Sequence, residues 1–395
     1  MIGSDNLEIQ NIKLCNKLLQ VCLEKDIPCV AYQMPGASTI TTLIQHQGTP
    51  RRLLSSNDLT RAKGFVIAPF DNNESFPSIL LEPDYIHTGN CAIDEIIESL
   101  QKYSPKQGKA TATHAIYQAT LTEFTAQVEA IKKTISEGII NKVVLSRIRV
   151  DRCSEGVDLV PLFNSLCQSY PGAFVYLLLM PGVGCWMGAS PEPLLLVEGN
   201  LAKTTSIAGT QVLEKNLLSE VVWKAKELDE QEIVTGYIEN VLRTFGVTNF
   251  QKSGPYSYQA ANLVHLKTEF TFEASLIKPL LGEFVDALQP TPSVGGLPKS
   301  ESKNLLLSVE KHNREYYSGF LGPVNLEDKT ALFVNLRCMK VVKEGFALFG
   351  GAGITKGSVA RREWDETTQK IMTLSTFVSS VKKSIKSYEF SKTGN

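Results

Sequence analysis

Apolar residues recur at helical spacing between residues 120 and 138 of the chain. Thr120 and Glu123 have the three-residue separation of a capping box, and Gly138 is a typical helix-ending residue. The apolar stripe between them consists of Leu121, Phe124, Val128, Ile131 and Ile135. This pattern predicts one amphipathic helix that packs its stripe on a core.

Shorter runs rich in β-branched and apolar residues predict strands. They lie at residues 142–147, 173–180, 185–189, 194–198, 262–272, 331–342 and 346–349. Two longer helical patterns cover about residues 217–244 and 362–388, and a Gly/Pro-rich loop covers 290–298. Hairpins combined with a few long helices predict an α+β fold with large antiparallel β-sheets, because a regular alternation of strand and helix is missing.

Composition narrows the class of protein. The chain has 395 residues, 43% of them apolar, which is enough for a large core in one or two domains. A net charge of -1 with scattered basic residues argues against nucleic acid as a partner. No apolar run is long enough to cross a membrane, residues 1–20 do not resemble a signal peptide, and the eight cysteines lack zinc spacing. These features predict a cytoplasmic protein with reduced cysteines.

Two pairs of glutamates lie at helical spacing, far apart in the sequence. Glu227 with Glu230 and Glu363 with Glu366 each place two carboxylates on one helix face. A solvated surface is the usual explanation of such a pair. If the two faces meet, their oxygens suit Mg²⁺, a hard cation that also keeps positions for water or an anionic substrate.

Seven short motifs occur in the order and at the approximate spacing of the chorismate-binding enzymes. They are residues 141–147 (NKVVLSR), 188–192 (GASPE), 207–210 (IAGT), 265–268 (HLKT), 290–298 (PTPSVGGLP), 351–354 (GAGI) and 363–367 (EWDET). The chain therefore resembles this family over about residues 111–386. The resemblance implies the fold of chorismate-utilising enzymes, with the antiparallel sheets packed as a sandwich and flanked by helices.

The resemblance also implies roles for individual residues. Lys142 matches the base that activates a water, which requires a neutral amine and favours a place away from carboxylates. Glu192 matches the acid that protonates the departing C4 hydroxyl. Glu230 and Glu366 match Mg²⁺ ligands, with Glu227 and Glu363 as acidic neighbours. The expected substrate-binding residues are Gly209, Thr210, His265, Thr268, Ser293, Val294, Tyr317, Arg337, Gly351, Gly353 and Lys370.

Two positions distinguish the branches of the family. Anthranilate synthases usually carry Gln where Lys142 stands, and aminodeoxychorismate synthases usually carry Lys where Ala208 stands. The chain resembles the isochorismate synthase branch, in which water enters at C2 of chorismate while the C4 hydroxyl departs. Salicylate synthases share both residues and remain an alternative, as does a chorismate-binding paralogue without catalysis. Gln231 departs from the His that many members carry after the metal-binding glutamate.

The predicted organisation has three parts. Residues 1–110 form a variable part of the same fold, residues 111–386 the chorismate-binding region and residues 387–395 a tail. The expected ligands are chorismate and Mg²⁺, with no amidotransferase subunit and a monomeric state. The product could enter menaquinone, siderophore or salicylate synthesis. A dinucleotide-binding loop at residues 351–357 is disfavoured, because its glycine spacing is wrong and no βαβ unit surrounds it.

Overall fold

The computed structural model describes residues 2–88, 93–103, 116–153, 157–212, 218–260, 263–343 and 345–380. Within these ranges the helices are α1 (Ile2–Glu24), α2 (Ser56–Arg61), α3 (Asp94–Gln101), α4 (Leu121–Ser136), α5 (Leu159–Ser169), α6 (Ala225–Thr244), α7 (Leu281–Leu288), α8 (Lys299–Val309) and α9 (Ala360–Ser380).

The strands of the first half are β1 (Cys29–Gln33), β2 (Ile40–Ile44), β3 (Arg51–Arg52), β4 (Gly64–Ala68), β5 (Ile79–Leu81), β6 (Tyr85–His87), β7 (Lys142–Arg152), β8 (Phe174–Met180) and β9 (Gly184–Ser190). Those of the second half are β10 (Pro193–Glu198), β11 (Leu201–Val212), β12 (Phe250–Ala260), β13 (Leu263–Glu273), β14 (Gly296–Leu297), β15 (Phe320–Val324), β16 (Lys329–Val334), β17 (Cys338–Val342) and β18 (Gly345–Ile354).

The strands form two nine-stranded sheets. Sheet A has the order β14-β7-β18-β17-β9-β8-β1-β2-β6, and sheet B has the order β12-β13-β11-β10-β16-β15-β4-β5-β3. Neighbouring strands pair antiparallel throughout, as β18 does with β7 and β11 with β13. The predicted α+β fold with large antiparallel sheets and flanking helices is confirmed.

An aromatic core joins the two sheets face to face. Phe174 of β8 stacks on Phe333 of β16 with ring centroids 4.3 Å apart, and Tyr32 of β1 contacts Phe65 of β4 at 5.8 Å. On the outer faces, α1, α3, α5 and α9 cover sheet A, whereas α2, α6 and α7 cover sheet B. Both sheets are therefore buried on two sides, which explains their nearly continuous apolar strands.

The predicted capping box and helix end of α4 are confirmed. Thr120 Oγ1 accepts a hydrogen bond from the Glu123 backbone N–H at 3.2 Å, and the Glu123 carboxylate accepts one from the Thr120 N–H at 2.9 Å. Gly138 follows the helix with φ +76°. Strands β8, β9 and β10 also lie where the pattern predicts them, within one residue.

Several predicted elements have different bounds. The strands predicted at 142–147 and 346–349 are longer, at Lys142–Arg152 and Gly345–Ile354. The helix expected from residue 217 begins at Ala225, so Glu227 and Glu230 lie in its first two turns rather than near its middle. The strand expected at 331–342 is divided into β16 and β17, because Arg337 adopts a left-handed φ of +47° between them. The last helix begins at Ala360, and residues 381–388 of that prediction lie outside the described residues.

Residues 29–87 supply strands to both sheets. β1 pairs with β8 in sheet A, and β4 pairs with β15 in sheet B. The boundaries at residues 110 and 386 stay predictions. Seven cysteines fall within the described residues, all of them free thiols, as predicted, while Cys91 lies outside these residues. None of the helices in the described ranges combines the length and apolar character needed to cross a membrane.

Candidate active site

One pocket between the two sheets brings together most of the predicted site residues. Sheet A contributes β7 and β18 to its wall, sheet B contributes β11 and β13, and α6 and α9 each contribute acidic residues. The predicted residues that line it are Lys142, Glu192, Gly209, Glu227, Glu230, His265, Ser293, Val294, Tyr317, Arg337, Gly351, Gly353, Glu366 and Lys370. Their roles stay predictions, but their proximity is a property of the fold.

Two predicted residues, Thr268 and Glu363, do not line this pocket. Thr268 is fully buried, and its Oγ1 accepts a hydrogen bond from Gln231 Nε2 at 3.0 Å. Glu363 is buried in α9, one turn before Glu366, and is absent from the pocket wall. The side chain of Thr210 lies outside the described residues. Direct contact with a ligand is therefore expected of neither Thr268 nor Glu363.

Lys142 begins β7 and points its buried amine at an acidic residue. Its side chain is 2% exposed, and Nζ lies 2.5 Å from Glu230 Oε1. The expectation that this lysine stands away from carboxylates is wrong. The contact exists because Gly353, on the adjacent strand β18, has no side chain: a Cβ there would lie 2.7 Å from Glu230 Oε1 and 3.1 Å from Lys142 Cε.

Glu192 lies in the connection from β9 to β10, and it is 4% exposed. Ser293 Oγ donates to Glu192 Oε1 at 2.7 Å. Burial raises the pKa of this carboxyl to about 7, although the hydrogen bond from Ser293 and the positive charges of Lys142 and Lys370 oppose the shift. The side chain can therefore hold or release a proton near neutral pH, as an acid catalyst must.

His265 of β13 is held as a neutral imidazole. Its Nδ1 lies 3.0 Å from the carbonyl oxygen of Gly209, so this nitrogen carries the donated proton. Burial lowers the pKa of His265 to about 3, with further lowering by the charges of Arg337 and Lys370. An uncharged ring at this position leaves the cationic residues as the anion-binding groups of the pocket.

Arg337 and Tyr317 also line the pocket. Burial lowers the pKa of the Arg337 guanidinium, and its Nη1 approaches the Lys370 carbonyl oxygen at 3.5 Å. The Tyr317 ring stacks on Phe349 at 5.2 Å. A Cβ at Gly351 would lie 2.9 Å from Tyr317 Oη, so glycine keeps this hydroxyl accessible. Arg337 and Tyr317 together can bind a carboxylate.

The carboxylates of Glu227, Glu230 and Glu366 line the pocket from two helices. Glu227 is the third residue of α6, and its Oε2 accepts from the Lys224 backbone N–H at 3.1 Å. Glu366 Oε1 lies 2.7 Å from Lys370 Nζ, which also donates to the Gly351 carbonyl at 2.9 Å. Two of the three carboxylates are thus paired with lysines.

The carboxylates of the pocket can supply some, but not all, of the ligands of a magnesium ion. Within the described ranges, no three His, Cys, Asp or Glu side chains lie close enough to hold a metal ion by themselves. Mg²⁺ often takes only one or two protein carboxylates and completes its shell with water and anionic ligand groups. Glu230 and Glu366 meet that requirement if each exchanges its lysine partner for the cation.

Several pocket residues were not predicted from the sequence. They are Val144, Pro191, Ile207, Ala208, Leu336, Phe349 and Gly350. Strand alternation could have identified some of them. Lys142 and Val144 on β7, and Phe349, Gly351 and Gly353 on β18, line the pocket at a spacing of two residues. The pocket residues that lie in loops could not be identified in this way, because side chains in loops do not alternate regularly.

Comparisons with known proteins agree with this arrangement. The profile of the family described as "Chorismate binding enzyme" matches residues 81–379. Isochorismate synthase EntC of Escherichia coli K12 is 28% identical over 263 residues, which are 65% of this chain and 66% of EntC. Anthranilate synthase component 1 of Thermococcus kodakarensis is 26% identical over 268 residues, 64% of this chain and 59% of that protein. These matches span less than two thirds of the relatives' length.

A solved structure extends the likeness in fold to most of the chain. MenF, the menaquinone-specific isochorismate synthase of Escherichia coli, superimposes with a TM-score of 0.70 and 21% identity. The superposition covers 89% of this chain and 88% of MenF. At this identity the match concerns the fold alone, and the chemistry must be argued from the residues in the pocket.

Proposed function

We propose that this chain, which belongs to the chorismate-binding enzyme family, is a Mg²⁺-dependent isochorismate synthase. The observation that carries the proposal is the shared pocket of Lys142 and Glu192, one a buried amine and the other a buried carboxyl with a pKa raised to about 7. An acid and a base in one pocket are the pair of groups that replacement of a hydroxyl by water requires.

The proposed reaction needs no redox partner. Lys142 takes a proton from a water whose oxygen bonds to C2 of chorismate. The C4–O bond breaks, the ring double bonds shift, and Glu192 gives its proton to the departing hydroxyl, which leaves as water. One water enters and one leaves, so the product is an isomer of the substrate. Ammonia is not a reactant, and no amidotransferase partner is expected.

The two carboxylates of chorismate require cations. Arg337 and Tyr317 are the proposed partners of the enolpyruvyl carboxylate, because Arg337 offers two parallel N–H donors and Tyr317 a hydroxyl. Glu230 and Glu366 would hold Mg²⁺, with Glu227 as an acidic neighbour. When bound, the cation would offset the charge of the ring carboxylate. Lys370, released from Glu366, would then be available to the substrate.

Product analysis tests the function directly. Purified protein would be incubated with chorismate and Mg²⁺, without ammonia, and the products separated and identified by mass. We expect isochorismate, with the same mass as chorismate. Salicylate with pyruvate would identify a bifunctional lyase, an ammonia-dependent product an anthranilate synthase-like enzyme, and unchanged chorismate a binding protein without catalysis.

Variants of the two catalytic residues test the assigned roles. We expect Lys142→Ala and Glu192→Gln each to lower kcat by at least about a hundredfold, the usual lower range for a general acid or base. Chorismate binding, measured by calorimetry, should persist in both. A wild-type rate in either variant would remove that residue from the mechanism.

The metal ligands have a separate test. Glu366→Gln keeps the size of the side chain but removes its charge, so we expect weaker Mg²⁺ binding in a calorimetric titration of the free protein. A titration identical to that of the wild-type protein would reject Glu366 as a ligand. The cytoplasmic location, the monomeric state and a place in menaquinone or siderophore synthesis stay predictions.

A further inference from the structure

The loop at residues 290–298 lines the pocket, and it also places a hydroxyl group next to Glu192. Ser293 Oγ lies 2.7 Å from Glu192 Oε1, and the Thr291 hydroxyl lies 2.6 Å from Ser293 Oγ. Thr291 is 2% exposed and does not line the pocket, and its hydroxyl acts on the Glu192 carboxyl as well as on Ser293. The two hydroxyls therefore act together on the carboxyl group.

The loop that carries Ser293 is fixed on both sides. Its turn is closed by a hydrogen bond from the Val294 N–H to the Thr291 carbonyl at 3.0 Å. Sheet A holds it through the Val144 N–H, which donates to the Gly295 carbonyl at 2.7 Å. The buried guanidinium of Arg314 holds it through Nη1, which donates to the Val294 carbonyl at 2.9 Å. The Ser293 hydroxyl is thus set in place before any ligand arrives.

The backbone of Glu192 is fixed as well. Its carbonyl accepts from the Val334 N–H at 3.0 Å, and its own N–H lies 3.4 Å from Ser190 Oγ. Ser190 in turn donates to the Val334 carbonyl at 2.6 Å. With main chain and loop both held, the carboxyl group is oriented by the loop hydroxyls, chiefly that of Ser293 at 2.7 Å, with the Thr291 hydroxyl beside it.

We propose that Ser293 is a positioning residue for the acid Glu192: its hydroxyl holds Oε1 and leaves the other oxygen to exchange a proton with the substrate. This inference rests on the proposed function. It differs from the role in substrate binding that the sequence implies for Ser293. A substrate contact would act mainly on KM, whereas a group that orients the acid acts mainly on kcat.

The first experiment compares Ser293→Ala with Ser293→Thr, which retains a hydroxyl. We expect Ser293→Ala to lower kcat about tenfold, within the range for loss of one hydrogen bond, while KM stays within about a factor of two. Ser293→Thr should recover part of that loss. A raised KM with an unchanged kcat would overturn the proposal in favour of a substrate contact, and an alanine variant with wild-type kinetics would overturn it as well.

A second measurement does not depend on turnover. The protonated carboxyl of Glu192 would be followed by infrared spectroscopy of the free protein, with the band assigned by its loss in Glu192→Gln. Because Ser293 donates to the carboxylate, its removal should raise the pH at which this band titrates. The other charged groups that act on Glu192 are Lys142 on β7 and Lys370 on α9, and both are unchanged in the variant. A titration that does not move would reject the hydrogen bond.

The two readouts separate the possible failures. If the wild-type protein makes no isochorismate but the infrared titration moves in Ser293→Ala, the proposed function fails while the contact between Ser293 and Glu192 stands. If isochorismate forms and the titration does not move, only the positioning role fails. Circular dichroism of Ser293→Ala, compared with that of Ser308→Ala on the exposed side of α8, would show whether the fold is intact.

Discussion

Lys142 and Glu192 lie in one pocket but in unlike surroundings. The lysine contacts the Glu230 carboxylate at 2.5 Å, whereas the glutamate accepts from the Ser293 hydroxyl and is otherwise buried. Forward reaction requires a neutral Lys142 with a protonated Glu192, and reverse reaction requires the opposite arrangement. These two forms carry the same number of protons, so one pH profile must govern both directions.

The activity is expected to depend on pH near neutrality. Below about pH 7 Glu192 gains a proton, and a pocket in which Glu192 and Lys142 both carry the proton of their acid form contains no base. We expect kcat/KM at saturating Mg²⁺ to fall as the pH falls through about 7, equally from chorismate and from isochorismate. A flat profile from pH 6 to 8 would contradict this assignment.

The contact between Lys142 and Glu230 depends on the small size of Gly353. An added Cβ would meet Glu230 Oε1 at 2.7 Å and Lys142 Cε at 3.1 Å, so Gly353→Ala must separate this pair. We expect kcat/KM to fall about a hundredfold, since small displacements of reacting groups have effects of that size. Stability should fall by only about 1–3 kcal/mol, the usual cost of overpacking, measured by urea unfolding.

Gly357→Ala is the matched control, because a Cβ there meets no atom within 4 Å. This variant should keep both its activity and its unfolding midpoint. An active Gly353→Ala protein would show that contact between Lys142 and Glu230 is dispensable. Equal losses of activity in both variants would show that any substitution near the end of β18 has this effect, and that the contact in the pocket is not its cause.

At the scale of elements, α9 is attached to sheet A by a buried arginine. Arg147 of β7 is 4% exposed and lies over the Trp364 ring, 3.8 Å from its centroid. Its Nε and Nη2 donate to the hydroxyls of Thr367 and Thr368, each at 2.7 Å. Both hydroxyls donate onward to the Trp364 carbonyl. This attachment fixes the turn of α9 from which Glu366 projects.

Arg147→Met should therefore act on ligand binding through the position of α9. We expect KM for chorismate and the dissociation constant for Mg²⁺ each to rise about tenfold, corresponding to about 1.4 kcal/mol. Arg147→Lys should be intermediate, because an ammonium cannot stack on Trp364 and serve both hydroxyls with the same geometry. Calorimetry with Mg²⁺ alone provides a readout that is independent of turnover.

Arg361→Met on the same helix is the control. Arg361 pairs with Asp365 at 3.1 Å, but the two side chains are 68% and 50% exposed. Exposed pairs contribute about 0–1 kcal/mol, so binding should stay unchanged. If Arg361→Met and Arg147→Met raised KM equally, the attachment to sheet A would not be the cause.

Elements differ in how far the sequence predicts them. Helix α4 could be predicted because its cap, stripe and final glycine are all local signals. The start of α6 could not, because its pattern continues upstream of Ala225. The contact of Glu230 with Lys142 could not be predicted either, because it joins two residues that are distant in the sequence. The left-handed φ of Arg337 was equally hidden, since only the junction of β16 and β17 imposes it on a residue other than glycine.

At the scale of the molecule, motif order places the pocket residues together, but sheet topology decides what surrounds them. Lys142 and Glu192 were identified as a pair without any knowledge of which strands separate them. The place of β1, between β8 and β2 in sheet A, has no local signal, because pairing between distant strands depends on the whole fold. For the same reason, the role of residues 1–110 was the least predictable part of the chain.

Residues 1–110 are expected to unfold together with the rest of the chain. Phe65 of β4 is fully buried between the sheets and lies 6.5 Å from Phe174 of β8, ring centroid to centroid. Phe65→Ala should lower the free energy of unfolding by about 3–5 kcal/mol, as loss of a buried ring does elsewhere. Leu54→Ala, at a side chain that is 81% exposed, is the control with little expected effect.

Tryptophan fluorescence reports on the part of the chain beyond residue 110, because Trp186, Trp223 and Trp364 all lie there. If residues 1–110 belong to the same cooperative unit, the urea midpoint reported by tryptophan fluorescence must shift in Phe65→Ala. If they form a separate unit, circular dichroism would show an early transition while the fluorescence midpoint stays at its wild-type value. Since Tyr32, Phe65, Phe174 and Phe333 form one continuous aromatic cluster across both sheets, we expect a single shifted transition by both probes.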